Sequence, residues 1–174
     1  ALMNKQDIAH GAAPAIEFDE KLARKFVKHL PFKLTDDQRR VIWQACLDIQ
    51  KTQPMNRLVE GDVGSGKTVV AAMVSSLVIS QGQQVALMAP TELLARQHAE
   101  TMVRLLEPLG LERRVGLLVG GMNATQKREA HARIASGDVR LMVGTHALIQ
   151  DKVDMHQLGL VIVDEQHRFG VDQR

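Results

Sequence analysis

The stretch that decides the fold is "GDVGSGKT", residues 61–68, which is followed at once by the apolar run "VVAAMVSSLVIS". The octapeptide has the pattern G-x-x-x-x-G-K-[ST], whose glycines let the backbone turn tightly and aim successive N–H groups at an anion. The apolar run predicts a helix over 66–82, and its N-terminus adds partial positive charge at the same point. The stretch therefore predicts a phosphate-binding loop. The alternative is a glycine-rich turn with an exposed lysine.

Strands and helices alternate regularly around this loop. Runs of Val, Leu, Ile and Met are typical of strands that are buried on both faces of a parallel sheet. The predicted strands are 56–61, 84–90, 114–120, 139–145 and 158–164, and the predicted helices after the loop are 66–82, 91–110 and 123–137. Two more helices, 19–30 and 34–51, precede them. The alternation predicts a three-layer α/β fold with a mostly parallel central sheet, preceded by N-terminal helices.

Local residue chemistry predicts where these helices begin and end. Polar side chains that accept hydrogen bonds from the first helical turn favour N-caps, and glycine or proline favours helix ends. The predicted caps are Thr35 or Asp36 for the second helix and Asn123 for the last one, and the predicted stops are Gly82, Pro108 and Gly137.

Two adjacent acids, Asp164 and Glu165, follow the apolar run "LGLVIV". A phosphate loop needs a second carboxylate on the metal side, and the end of another buried strand can supply it. Asp164 is predicted to hold Mg²⁺, and Glu165 to orient or deprotonate the attacking water. Strand neighbours point to opposite faces, so both acids reach the nucleotide only if the chain leaves the strand here. His167 is either a relay from the γ-phosphate or a surface residue.

Composition excludes several other functions. The chain has 174 residues, 45% of them hydrophobic, which suffices for the core of one domain. Aromatic residues make up only 3%, so a base-stacking surface is not expected. The net charge of +2 does not by itself predict nucleic-acid binding. The basic segment 21–33 either forms the solvated face of an amphipathic helix, with Leu22, Phe26 and Leu30 inward, or contacts phosphate.

The cysteine and histidine residues indicate which cellular compartment and which metal content to expect. One cysteine, no signal peptide and no apolar run of bilayer length together predict a cytoplasmic protein without a membrane segment. The seven histidines show no HxxxH spacing, and the cysteine has no CxxC partner. The metal expected here is the Mg²⁺ that arrives with a nucleotide.

Four segments together resemble the superfamily 2 helicases, and within them the RecG family of ATP-dependent DNA helicases, which remodel stalled forks and branched junctions. The segments are "GDVGSGKT" at 61–68, "MAPTELLARQH" at 88–98, "VGTHALIQ" at 143–150 and "DEQHRFGVDQR" at 164–174. The resemblance covers about residues 30–174. The motor of the transcription-repair coupling factor is similar but typically reads D-E-E-H, so Gln166 favours the RecG family. A nucleotide switch without helicase activity is a further alternative, and the DNA-facing segments argue against it.

The resemblance implies a P-loop, RecA-like domain with ATP and Mg²⁺ as cofactors and a role for each matching residue. The implied catalytic residues are Lys67, Asp164, Glu165 and His167, and the implied Mg²⁺ ligands are Thr68 and Asp164. The implied nucleotide-binding residues are Phe32 and Gln38 for adenine, with Gly61, Asp62, Val63, Gly64, Ser65, Gly66, Lys67, Thr68 and Val69 in the loop and helix start. The implied DNA contacts are Pro90, Thr91, Glu92, Gly120, Gly144, Thr145 and His146. Simpler roles stay open at three of them: a helix cap at Thr91, a turn at Gly120 and an ordinary loop residue at His146.

The resemblance also implies a domain organisation. Residues 1–30 are expected to be a lead-in and linker helix from an upstream domain, and 31–174 the first RecA-like lobe, ending after the Asp-Glu motif. The partners expected outside this chain are a second lobe, which carries an arginine finger, and a wedge domain. We therefore expect a monomer whose substrate is branched or forked DNA, and which hydrolyses ATP barely on its own.

Overall fold

The computed structural model describes residues 19–30, 32–49, 55–56, 67–146, 155 and 157–164. The helices in these ranges are α1 (Glu20–Lys28), α2 (Asp36–Ile49), α3 (Lys67–Ser80), α4 (Glu92–Leu106) and α5 (Ala124–Ser136). The strands are β1 (Met55–Asn56), β2 (Gln84–Ala89), β3 (Val115–Leu118), β4 (Leu141–Thr145) and β5 (Leu158–Val163). Two 3₁₀ turns, Glu107–Leu109 and Glu112–Arg114, join α4 to β3.

The five strands form one sheet in the order β1-β5-β2-β4-β3, and every neighbouring pair is parallel. The predicted parallel α/β sheet is therefore confirmed. All six residues of β2 are buried, whereas β3, at the edge of the sheet, alternates between buried and half-buried residues. Of the predicted first strand, 56–61, the structure describes only Asn56, which belongs to β1, and residues 57–61 lie outside the described residues.

Helices cover both faces of this sheet. Val85 and Leu87 of β2 and Ile162 of β5 belong to one core cluster, which also contains the buried residues of α1, α3 and α4. The alternate residues of β2, Ala86 and Met88, belong to a second cluster with the buried residues of α5. The two clusters follow from the strand geometry, in which successive side chains point to opposite faces.

Helix α3 lies in the interior of the molecule. Every residue from Val69 to Ile79 is buried, as expected for a helix that is apolar on all sides. Gly82 follows with a φ of +80°, the left-handed conformation that ends a helix, so the predicted stop is confirmed. In the described ranges, no helix has both the length and the apolarity needed to cross a bilayer.

The predicted caps form as side-chain hydrogen bonds. Thr35 Oγ1 accepts from the Gln38 N–H at 3.2 Å, and Gln38 Oε1 accepts from the Thr35 N–H at 2.8 Å. Thr35, rather than Asp36, therefore caps α2. Asn123 and Gln126 form the same reciprocal pair at the start of α5, which ends at the left-handed Gly137. Both ends of α5 are confirmed.

Gln84 is a buried polar residue that joins three elements at the amino end of β2. Its amide nitrogen donates to the carbonyls of Ile134 at 3.0 Å and Val139 at 3.1 Å. Its amide oxygen accepts from the Gln157 N–H at 3.3 Å. The amide thereby fixes the end of α5 and the start of β5 against β2, and its hydrogen bonds offset the cost of burying it.

Helix α1 packs on the core of this domain. Phe26 is only 2% exposed, and Leu22 and Leu30 are half-buried against the same cluster. The predicted inward face of this helix is confirmed. The predicted domain boundary at residue 30 stays a prediction.

Because Phe26 is embedded in that cluster, Phe26→Ala is expected to lower the free energy of unfolding by about 3 kcal/mol. Urea denaturation measures the change, and Val27→Ala, at the neighbouring residue that is 39% exposed, is the matched control. Equal urea midpoints for the two variants would show that α1 contributes nothing to the domain core.

Candidate active site at the carboxyl edge of the sheet

Asp164 stands at the carboxyl end of β5, which lies between β1 and β2. Its backbone N–H donates to the carbonyl of Met88 at 2.8 Å, which continues the ladder between β5 and β2 past the end of the strand. Leu160 and Ile162 face the cluster formed with α3 and α4, so the alternation directs Asp164 to the same side. The residue is only 4% exposed. A carboxylate buried to this degree needs partners that stabilise its charge.

The N-terminus of α3 reaches the same place. Thr68, the second residue of this helix, and Asp164 line one pocket, which encloses a cavity of about 20 Å³, room for about one water molecule. The remaining lining residues are Ala71, Leu87, His98, Met102, Ile162 and Val163. The first turn of a helix carries N–H groups without intrahelical acceptors and a partial positive charge. A hydroxyl, a carboxylate and a helix N-terminus therefore converge at this pocket.

His98 of α4 closes the pocket from a third side. Its Nε2 atom lies 2.6 Å from Oδ2 of Asp164. A carboxylate only accepts, so the imidazole N–H donates in this hydrogen bond. The His98 side chain is 12% exposed and the Asp164 side chain 3%. Reasoning from the sequence missed this residue. The signal was present, because His98 interrupts the buried apolar stripe formed by Ala95, Met102 and Leu106.

These residues fit a magnesium-bound nucleotide. Mg²⁺ takes oxygen ligands, and Thr68 and Asp164, which both line this pocket, each carry an oxygen donor. The start of α3 suits a phosphate group. Lys67 begins α3, as predicted for the lysine of the loop, and the predicted loop residues 61–66 lie outside the described residues.

The ends of β2 and β4 lie side by side at this edge, because Ala89 pairs with Thr145. The predicted DNA contacts Thr91 and His146 therefore come from adjacent strand ends. Thr91 Oγ1 accepts from the Leu94 N–H at 3.2 Å, so this residue caps α4. The Nε2 atom of His146 is buried without a hydrogen-bond partner in the described part of the chain.

Glu92 braces the turn after β3 against the start of α4. Its Oε2 atom accepts from the Gly121 N–H at 3.1 Å, and its Oε1 atom accepts from Arg96 at 3.0 Å. A Cβ atom on Gly121 would lie 2.5 Å from Glu92 Oε1, whereas one on Gly120 would lie no nearer than 3.9 Å to the same carboxylate. An alanine at 121 would therefore require the Glu92 carboxylate to move, whereas Gly120, the predicted DNA contact, has space around it.

Residues 35–174 match the family model for DEAD/DEAH box helicases. The chain belongs to the DEAD/DEAH box helicase family. It is similar to proteins named ATP-dependent DNA helicase RecG. The relative from Aquifex aeolicus (strain VF5) is 49% identical over 173 residues, which are 99% of this chain and 22% of the relative. The relative from Treponema pallidum (strain Nichols) is 51% identical over 153 residues, or 88% of this chain and 22% of the relative. The chain thus spans about a fifth of the length of these curated relatives.

Solved structures share the fold of this chain. A structure of RecG bound to a three-way DNA junction matches with a TM-score of 0.82 and 40% identity, covering 95% of this chain and 22% of that one. The UvsW helicase from bacteriophage T4 matches with a TM-score of 0.61 and 16% identity, covering 89% of this chain and 54% of that one. The RecA-like helicase fold expected from the sequence is confirmed.

The other predicted site residues lie away from this pocket or outside the described residues. Phe32 is 46% exposed, and Gln38 takes part in the cap of α2. Neither residue lines the pocket with Thr68 and Asp164. Glu165 and His167 lie outside the described residues. The roles assigned to all four stay predictions.

The hydrogen bond between the Glu92 carboxylate and the Gly121 N–H, called the brace below, can be tested by mutation. A methyl group at 121 forces the Glu92 carboxylate away, so Gly121→Ala is expected to lose the hydrogen bond and about 1 kcal/mol of unfolding free energy. Gly120→Ala is the matched control and is expected to change stability by less than about 0.5 kcal/mol. Urea denaturation of both variants gives the comparison. Two results would contradict the brace. One is the same loss of unfolding free energy in Gly120→Ala, and the other is an undiminished loss when Gly121→Ala is made in a Glu92→Ala background.

Proposed function

We propose that this chain binds ATP with Mg²⁺ and serves as the ATP-binding motor lobe of a DNA helicase. Its proposed substrate is branched DNA, including stalled forks in recombination and repair. The observation that carries the proposal is the meeting of Thr68, directly after the glycine-rich loop, with Asp164, directly after β5, in one pocket.

Each part of the phosphate site has a proposed role. The N–H groups at the start of α3 and the Lys67 ammonium bind the phosphates, and Lys67 reaches the β- and γ-phosphates. Thr68 and Asp164 hold the Mg²⁺. The ion, when bound, neutralises charge on the phosphate oxygens during transfer. Glu165, which follows Asp164 in sequence, is proposed to orient or deprotonate the attacking water. His167 is proposed to relay the state of the γ-phosphate.

Adenine recognition is proposed at the start of α2. The reciprocal hydrogen bonds with Thr35 hold the Gln38 amide in a set orientation. An amide presents one donor and one acceptor, which suits the edge of an adenine. Phe32, at 46% exposure, has apolar surface available to pack near the base.

DNA is proposed to run along the strand ends beside the nucleotide. The proposed contacts are Pro90, Thr91, Glu92, Gly120, Gly144, Thr145 and His146. Thr91 adds the N-terminus of α4 as a site for a phosphate group. His146 follows Thr145 at the end of β4, beside the end of β2. Such contacts go to the backbone and carry no sequence information. The Glu92 carboxylate would repel a phosphate, so its proposed contribution to DNA binding is indirect, through the Gly121 turn that it holds in place.

The names of the relatives favour a RecG-type motor over the alternatives. Proteins named ATP-dependent DNA helicase RecG are 49% and 51% identical to this chain, and a solved RecG was bound to a three-way DNA junction. The alternatives are a transcription-repair motor and a nucleotide switch. The same proposal includes a second lobe, a wedge domain, a monomeric state and a cytoplasmic location. It also includes slow hydrolysis without the second lobe, whose arginine would stabilise transition-state charge.

Nucleotide binding is tested with Lys67→Ala. Removal of the ammonium is expected to weaken the binding of fluorescent ADP in Mg²⁺ by about tenfold or more, because a charge-assisted contact to phosphate is lost. Fluorescence titration gives the dissociation constants. Lys127→Ala, on the distant helix α5, is the control and is expected to bind as the wild type does. Equal affinities of Lys67→Ala and the wild type for fluorescent ADP would contradict the assignment of the phosphate loop.

A further inference from the structure

The contact between His98 and Asp164 is an unusual feature of the interior. His98 occupies a position of α4 at which the flanking inward residues, Ala95 and Met102, are apolar and fully buried. An apolar residue would satisfy the packing of this helix. The imidazole instead directs its Nε2 atom to Oδ2 of Asp164 at 2.6 Å. A hydrogen bond to a carboxylate is charge-assisted.

We propose that His98 is a positioning residue that holds the Asp164 carboxylate in the orientation needed to bind the Mg²⁺ of the nucleotide. The inference rests on the proposed function, because it concerns the same pocket. Thr68, His98 and Asp164 line that pocket together. His98 does not act as a metal ligand in this scheme, since its Nε2 atom donates to the carboxylate.

The geometry explains why such a residue is needed. The backbone of Asp164 is fixed by its N–H bond to Met88, but that bond leaves the side-chain torsions undetermined. The hydrogen bond from His98 restrains the orientation of the carboxylate before any ion arrives. Partners that orient a ligating carboxylate typically change metal affinity by about 10- to 100-fold when they are removed.

A purely structural role predicts something different. If His98 only stabilises a buried charge, its loss lowers the stability of the fold, and the Mg²⁺ dependence of nucleotide binding stays as it was. A positioning role requires that more Mg²⁺ be needed for the same nucleotide binding. The Mg²⁺ dependence of binding therefore separates the two roles without any measurement of hydrolysis.

The experiment measures fluorescent ADP affinity over a series of Mg²⁺ concentrations and in EDTA. His98→Leu keeps the apolar bulk but cannot donate, and it is expected to raise the Mg²⁺ concentration for half-maximal binding by about tenfold or more. His98→Gln carries an amide N–H near the position of Nε2 and is expected to stay within about threefold of the wild type. All variants are expected to bind ADP equally in EDTA. Glu100→Ala, on the exposed side of the same helix, is the control.

The possible results distinguish a failure of this inference from a failure of the proposed function on which it rests. A wild-type chain that does not bind ADP in Mg²⁺ would overturn both. A wild type that binds, together with a His98→Leu variant of unchanged Mg²⁺ dependence, would overturn only the role of His98. If His98→Leu fails to fold, His98→Asn is measured in its place, because its shorter amide does not reach Oδ2. A tenfold shift in that variant supports the inference, and an unchanged Mg²⁺ dependence overturns it.

Discussion

The hydrogen bond between the Asp164 N–H and the Met88 carbonyl is the contact on which the site depends. It extends the parallel ladder of β5 and β2 by one residue, so the acid is fixed in the sheet at the point where the strand ends. Parallel strands bring their carboxyl ends to one edge, and ligands of open α/β sheets bind at that edge. The helix start at Lys67 and the strand ends at Ala89 and Thr145 take their relation to Asp164 from this arrangement.

In the pocket, the buried Asp164 carboxylate lies beside the apolar helix α3. Asp164 is 4% exposed, and an anion in that position is tolerated because an imidazole donor lies 2.6 Å from it and the start of α3 lines the same pocket. Helix α3 is buried along nearly its whole length, so its first turn has little freedom to move. The same helix that completes the core therefore also fixes the position of Thr68.

Features governed by local chemistry could be predicted from the sequence. The strands were recognisable as continuous apolar runs, and Asn123 and Gly137 marked the ends of α5 because capping depends on residues a few positions apart. Contacts between distant segments could not be predicted in this way. His98 and Asp164 are 66 residues apart, and Glu92 and Gly121 are 29 apart, so only the strand order brings these pairs together. Asp164 was predicted correctly as a strand-end residue, but its hydrogen bond with His98 was not predicted.

The strand order also has a consequence for how the chain folds. β5 is the last strand of the described chain, yet it lies between β1 and β2, so its insertion requires contacts across a long stretch of sequence. Pairings of this kind form late, because the entropy of closing a long loop opposes them. β2, β3 and β4 are able to pair before β5 has been synthesised. The strand that completes the sheet also delivers Asp164, so a nucleotide that engages this carboxylate selects chains whose sheet is already complete and stabilises them by mass action.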